Sequence, residues 1–143
     1  MIDQFEIKKF KSGHINDFVT LLKQLNPNVD ESIIRHRFLK MLTFNNYQSF
    51  GFYQQNKLIG IIGGWTLFKI YSGKQLEIDN FIIDNKLQSK GYGAKLLALI
   101  EIWAKNNDHQ SVELNVYTKN TRAQEFYFSK DYKTSGFHMI KVL

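Results

Sequence analysis

The chain has 143 residues, 43% hydrophobic, 15% aromatic and 22% charged, a balance that fits a folded globular domain and excludes a disordered or fibrous one. The richest apolar stretch, residues 58–67, is too short and too broken by glycine to span a membrane, and the opening Met-Ile-Asp-Gln-Phe-Glu lacks the basic-then-apolar order of a secretion signal, so a cytoplasmic protein with no membrane partner is expected. The net charge of +6 suits an anionic partner as well as it suits plain solubility, but Lys and Arg are scattered, with Lys8-Lys9 the only adjacent pair, and no nucleic-acid partner is expected.

There is no cysteine, which removes disulfides, thiolate metal sites and a cysteine nucleophile. His14, His36, His109 and His138 show no metal-ligand spacing, so no metal is expected. No repeat, low-complexity tract or linker divides the chain, and it reads as a single domain over residues 1–143.

Phe5 and Ile7 mark a short first strand. Ile15, Phe18, Leu21, Leu22 and Leu25 fall at helical spacing, and a second helix from about Asp30 repeats the period through Ile33, Ile34, Phe38 and Met41. Residues 49–54 read as a strand, Gln55-Asn56 as a hairpin turn, and residues 57–69 as an apolar strand. Its interior Gly60, Gly63 and Gly64 suggest a bulge or a close backbone approach. After a turn at Ser72-Gly73, the spacing predicts a strand over 76–83, a helix over 92–106, a strand over 111–117 and a helix over 120–129. One or two further strands are expected between Tyr132 and Val142. Antiparallel hairpins followed by a strand–helix–strand unit make a mixed α/β (α+β) sheet of six to seven strands with about four helices on its faces.

The informative stretch is Glu77-Ile78-Asp79-Asn80-Phe81-Ile82-Ile83, a short loop, and then Gln88-Ser89-Lys90-Gly91-Tyr92-Gly93-Ala94 opening a helix. Glycines at 91 and 93 leave backbone N–H groups unobstructed, and a helix start adds orphan donors and the positive end of its dipole. Together these suit a pyrophosphate. A dinucleotide fingerprint would need glycine where Leu96 stands, and the Gly-Lys-Ser/Thr of a P-loop is absent. By itself the turn is equally compatible with an ordinary strand–helix connection.

Gln88-x-x-Gly91-x-Gly93 resembles the Arg/Gln-x-x-Gly-x-Gly/Ala loop of the GNAT superfamily of N-acetyltransferases. The similarity continues through Val112-Glu113-Leu114-Asn115-Val116 into Asn120-Thr121-Arg122-Ala123-Gln124-Glu125-Phe126-Tyr127, which looks like that family's Asn-x-x-Ala-x-x-Phe-Tyr helix. Asp131 departs from the glycine common after that helix, and Asp is among the residues that tolerate a left-handed cap. The resemblance implies a GNAT-like acyl-CoA N-acyltransferase fold of the compact bacterial type, in which dimers are frequent. It implies acetyl-CoA as acetyl donor and a small-molecule or peptide amine as acceptor. The cofactor-binding residues it implies are Phe81, Ile82 and Ile83 along the pantetheine arm, and Gln88, Ser89, Lys90, Gly91, Tyr92, Gly93 and Ala94 at the pyrophosphate. Asn120 and Tyr127 are implied near the arm and its sulfur, with helix capping the simpler role for Asn120. Thr121-x-x-Gln124 offers a competing capping box, and Lys86, Lys90 and Lys95 are candidate phosphate partners or plain surface lysines.

Acetyl transfer to an amine meets a proton problem. An alkylammonium of pKa ~10.4 is only about 1 part in 2,500 neutral at pH 7, a penalty of about 4.6 kcal/mol. Protonating a thiolate whose thiol has pKa ~8.5 recovers only about 2 kcal/mol. A carboxylate base is therefore worth seeking. Glu77 and Asp79, two apart on one strand, share a face and fall where GNAT members carry acidic residues. Their alternatives are a solvated strand face, ammonium recognition without proton transfer, or a water relay. Tyr127 matches the tyrosine that donates to the coenzyme sulfur, although its helical spacing also allows a core position. With no cysteine for an acetyl-enzyme, direct transfer in a ternary complex is expected. A CoA-binding sensor or partner-binding module without turnover is the alternative. Phe44, Tyr47, Trp65 and Tyr71 are candidate walls for the acceptor.

Overall fold

The computed structural model describes residues 4–143. By internal contacts the chain forms two compact units, Met1–Glu113 and Leu114–Leu143.

The first unit holds a five-stranded sheet in the order β1 (Phe5–Lys9), β2 (Tyr47–Gln54), β3 (Lys57–Lys69), β4 (Gly73–Ile83) and β5 (Ser111–Glu113). Each of the first four strands is antiparallel to its neighbours among them, and β5 runs parallel to β4. Two helices, α1 (Ile15–Leu25) and α2 (Glu31–Met41), precede β2, while α3 (Tyr92–Asn106) links β4 to β5. The periodic apolar residues of α1 bury Phe18, Leu21 and Leu22, joined by Val19. They form one core with Ile34 and Phe38 of α2 and with Tyr47, Ile61 and Ile82 of the sheet. Side chains alternate along a strand, so Phe50 lies on the face opposite Tyr47, where its ring meets Trp103 of α3 at 5.0 Å. Leu96, Leu97, Ile100 and Ala104 bury the inner side of α3. Thus α1 and α2 cover one face of the sheet and α3 covers the other.

Two register shifts interrupt this regular frame. Phe52 faces Gly60 and Tyr53 faces Leu58, which leaves Ile59 as an extra residue in β3 beside one of its glycines. Ile61 faces Ile82 but Gly63 faces Asp79, so Asn80 and Phe81 of β4 stand against Ile62 alone. Asn80 takes a left-handed backbone, φ 55°, which Asn reaches more easily than most residues. The interior glycines of β3 sit where the fold leaves no room: a Cβ at Gly63 would collide with the Tyr47 hydroxyl, one at Gly64 with Leu76, and one at Gly60 with the Ile82 carbonyl.

In the second unit, α4 (Thr121–Ser129) is capped by Asn120, whose Oδ1 accepts from the Ala123 N–H at 3.1 Å. The competing capping box does not form, because Gln124 Nε2 donates instead to the carbonyls of Tyr117 and Thr118, each at 3.0 Å. At the other end Asp131 is left-handed, φ 68°. The Asp131 N–H donates to Phe128 O at 3.2 Å and the Tyr132 N–H to Tyr127 O at 3.1 Å, the paired bonds of a Schellman cap. Asp therefore serves where the resembled family has glycine.

The strand expected over 111–117 pairs only as Ser111–Glu113, and no strand forms in the tail expected to carry one or two. The described sheet accordingly has five strands, not six or seven. Phe137, Met139, Ile140 and Val142 are exposed; apolar alternation alone does not make a strand without a neighbour to complete its hydrogen bonds.

The contact between Gly63 and Tyr47 predicts a coupled mutational effect. Gly63→Ala should cost about 1–3 kcal/mol of stability through overpacking, measured by urea unfolding. Tyr47→Phe in the same chain should recover part of that loss, whereas additive costs would show that the two residues do not meet.

Candidate functional site

β4 carries two of the groups of residues that the sequence singles out, the carboxylates Glu77 and Asp79 and the segment 81–83. Glu77 and Asp79 precede the bulge. They lie on the α1/α2 face, because Glu77 is registered opposite Trp65, which packs against the α1/α2 core. Trp65 Nε1 donates to Asp79 Oδ2 at 3.1 Å, a charge-assisted bond that fixes the carboxylate. Asn80 Nδ2 donates to the Tyr47 hydroxyl at 3.3 Å, and the Tyr47 ring lies 4.6 Å from that of Trp65. Burial pushes the Tyr47 phenol up to about 12; the Asn80 hydrogen bond opposes the rise and the Asp79 charge adds to it.

After the bulge, Phe81, Ile82 and Ile83 complete the strand. Ile82 turns into the α1/α2 core, and Ile83 reaches the opposite face, where its side chain crowds Gly60. The β4–β5 ladder covers only residues 75–77 against 111–113, while β4 runs on to Ile83.

The loop that follows is tied down by side chains from both of its ends. The Asp84 N–H donates to Ile59 O at 2.9 Å, and Asp84 Oδ1 accepts from the Lys86 N–H at 3.2 Å and from Gln24 Nε2 of α1 at 3.4 Å. Gln24 Oε1 in turn accepts from the Asn85 N–H at 2.9 Å. Gln88 Nε2 donates back to Ile83 O at 3.1 Å, so this side chain closes the turn. Ser89 and Gly91 both take left-handed backbone, φ 65° and 79°. Gly91 is the N-cap of α3, and no side chain caps that helix. The Lys95 N–H makes the first intrahelical bond, to Gly91 O at 3.3 Å, so the amides of Tyr92, Gly93 and Ala94 stand ahead of the ladder. Lys90 is exposed beside them. Lys95 lies over the Phe5 ring, 4.8 Å from its centroid, and is engaged there.

Asn120 and Tyr127 belong to the second unit. Tyr127 packs edge-on to Phe126 and Tyr132, at 5.1 and 5.5 Å, and burial pushes its phenol up to about 12. Of the aromatic candidates, Phe44, Tyr47 and Trp65 cluster, Phe44 lying 5.8 Å from Trp65, whereas Tyr71 is 84% exposed on a turn.

Two features escape sequence reasoning, the Trp65–Asp79 bond and the Gln24 clamp, and neither leaves a local trace. The bulge that the glycines of β3 suggest does form, beside Gly60 and again before Gly63, where the surplus residue lies in β4. Among the described residues no helix is long and apolar enough to cross a membrane, and no group of three or more acidic, His or Cys side chains is arranged to hold a metal ion.

The sequence matches the Acetyltransferase (GNAT) family over residues 15–130. No curated protein matches it. Similar solved structures include an aminoglycoside N-acetyltransferase in complex with CoA, at TM-score 0.84 and 14% identity, covering 100% of this chain and 97% of that one. A GNAT family acetyltransferase from Staphylococcus aureus superposes at TM-score 0.78 with 22% identity, over 97% and 98% of the two chains. A predicted acetyltransferase from Clostridium acetobutylicum, solved with acetyl-CoA, gives TM-score 0.76 and 14% identity over 97% and 96%. At these identities the likeness establishes the fold.

The raised Tyr47 phenol sets a pH window. A folded-state pKa above the unfolded ~10 stabilises the fold below pH 10, and that contribution is lost as pH rises toward about 12. In Tyr47→Phe the fall in stability between pH 10 and 12 should be shallower, and ultraviolet titration should lose one late-titrating phenol. An unchanged titration would contradict the assignment.

Proposed function

Because the chain belongs to the GNAT acetyltransferase family, we propose that it moves the acetyl group of acetyl-CoA directly to a primary amine in a ternary complex, within the cytoplasm and as a single domain. The observation that carries this reading is the start of α3. A left-handed Gly91 and three amides ahead of the helical ladder offer N–H donors and the positive end of a dipole to a diphosphate. The solved relatives bound to CoA and acetyl-CoA support the same donor. Gln88 to Ala94 would hold the diphosphate, and the main chain of Phe81, Ile82 and Ile83 would hold the pantetheine arm. Acetyl-CoA supplies the activated acyl carbon.

The chain's own residues would manage the protons. Glu77 takes the ammonium proton, directly or through water. Asp79, already accepting from Trp65, attracts and orients the cation. The Phe81 N–H is the proposed donor to the thioester oxygen, an interaction that strengthens as charge develops there. Tyr127 is the proposed donor to the departing sulfur. With its phenol near 12, complete transfer to a thiolate of ordinary pKa ~8.5 is uphill by about 5 kcal/mol. Tyr127 therefore works as a neutral hydrogen-bond donor to the developing thiolate rather than as a free acid.

A thiol-release assay with acetyl-CoA across a library of primary amines tests the proposal. Wild type should release thiol with a subset of amines. Glu77→Gln and Tyr127→Phe should each lower kcat by about 10²-fold or more, and Gly91→Ala should raise KM for acetyl-CoA. Full activity in the first two variants would overturn the residue roles. Tight CoA binding with no turnover on any amine would favour a non-catalytic module.

A further inference from the structure

The α1/α2 face of the first unit holds an arrangement that the acetyl donor does not use. Three aromatic rings meet at the end of β3: Trp65 lies 4.6 Å from Tyr47, at 46°, and 5.8 Å from Phe44, at 58°. Trp65 is held at its polar edge by the bond to Asp79, and Glu77 stands opposite it in the strand register. Gly63, registered opposite Asp79, puts no side chain of its own between that carboxylate and the Tyr47 hydroxyl. The Tyr47 hydroxyl is in turn fixed by Asn80. Two carboxylates and three rings thus share one patch, with Tyr47 buried at its base, Trp65, Glu77 and Asp79 half-buried and Phe44 45% exposed. Lys40 Nζ sits 5.6 Å from the Phe44 centroid.

Building on the acetyltransferase reading, we propose that Phe44, Tyr47 and Trp65 with Asp79 form the acceptor subsite, and that it takes an ammonium carried on an apolar body. A ring face attracts a cation through its quadrupole, and indole does so best. Asp79 adds the opposite charge and, by accepting from Trp65 Nε1, holds the indole in one orientation. The Trp65 and Phe44 faces, backed by the buried Tyr47, offer apolar area to the rest of the amine and few partners for hydroxyl groups. Trp65 is accordingly the specificity-determining residue, and a polyhydroxylated amine is a poorer ligand than an apolar one of the same charge.

Benzyltrimethylammonium, which has no N–H to acetylate, probes the subsite apart from turnover, with benzyl alcohol as its uncharged counterpart. Calorimetry on the full chain should show the quaternary ion binding at least tenfold more tightly than the alcohol. Asp79→Asn, which keeps the shape and can still accept from Trp65, should weaken the ion about tenfold, and Trp65→Phe should weaken it several-fold. The ion should also compete with the amine, not with acetyl-CoA, in the thiol-release assay. Equal binding of ion and alcohol, no binding of the ion, or unchanged affinity in both variants would overturn the inference. Titrating CoA into each protein reports folding and separates the two readings. Normal CoA binding with no ammonium binding overturns this subsite alone, while ammonium binding without CoA binding overturns the donor reading on which it rests.

Discussion

Where β3 has the single residue Ile62, β4 has two, Asn80 and Phe81, and that surplus inverts the in-out alternation of every residue after it. Without it, Ile82 would face α3 and leave the α1/α2 core that it now completes, and Ile83 would turn inward in its place. With it, Glu77 and Asp79 share a face with Ile82 despite the odd spacing between Asp79 and Ile82. The strand keeps both cores sealed while presenting two carboxylates between aromatic rings. A left-handed Asn80 is the local cost of this arrangement. Its side chain offsets part of that cost through the bond to Tyr47.

The same strand delivers the chain to the start of α3, where a different economy applies. No side chain caps this helix, nor α1 or α2, whereas α4 spends Asn120 on that task; what sets α3 apart is its left-handed glycine N-cap. A helix start left to backbone amides alone is cheap only when water or an anion satisfies them. The loop leading to it is held by Gln24, Asp84 and Gln88 through main-chain bonds, so the amides are presented from a fixed frame. Rigid support beneath open donors is what pre-organised anion binding needs.

Sequence periodicity placed the helices and the interior strands closely. α1 spans Ile15–Leu25, α3 spans Tyr92–Asn106 and β3 spans Lys57–Lys69, as their patterns predict, because each buries one face against a core and its signal is local. β5 and the tail were less legible. Strands exist by pairing, and residues beyond Glu113 have strand-like alternation but no strand alongside. At the site, the two glycines at the start of α3 and the paired carboxylates were visible as motifs. The Trp65–Asp79 bond joins residues 14 apart and depends on the register of a hairpin that spacing alone does not set. The Gln24 clamp reaches 60 residues along the chain and has no local signal at all.

The central claim is that the bare amides at the start of α3 seat a coenzyme diphosphate. An amide-resolved NMR titration with CoA tests it most directly. The account predicts the largest shifts at Tyr92, Gly93 and Ala94, with a second set along residues 81–83. Saturating CoA that leaves those amides unmoved, or that moves only distant ones, would contradict it.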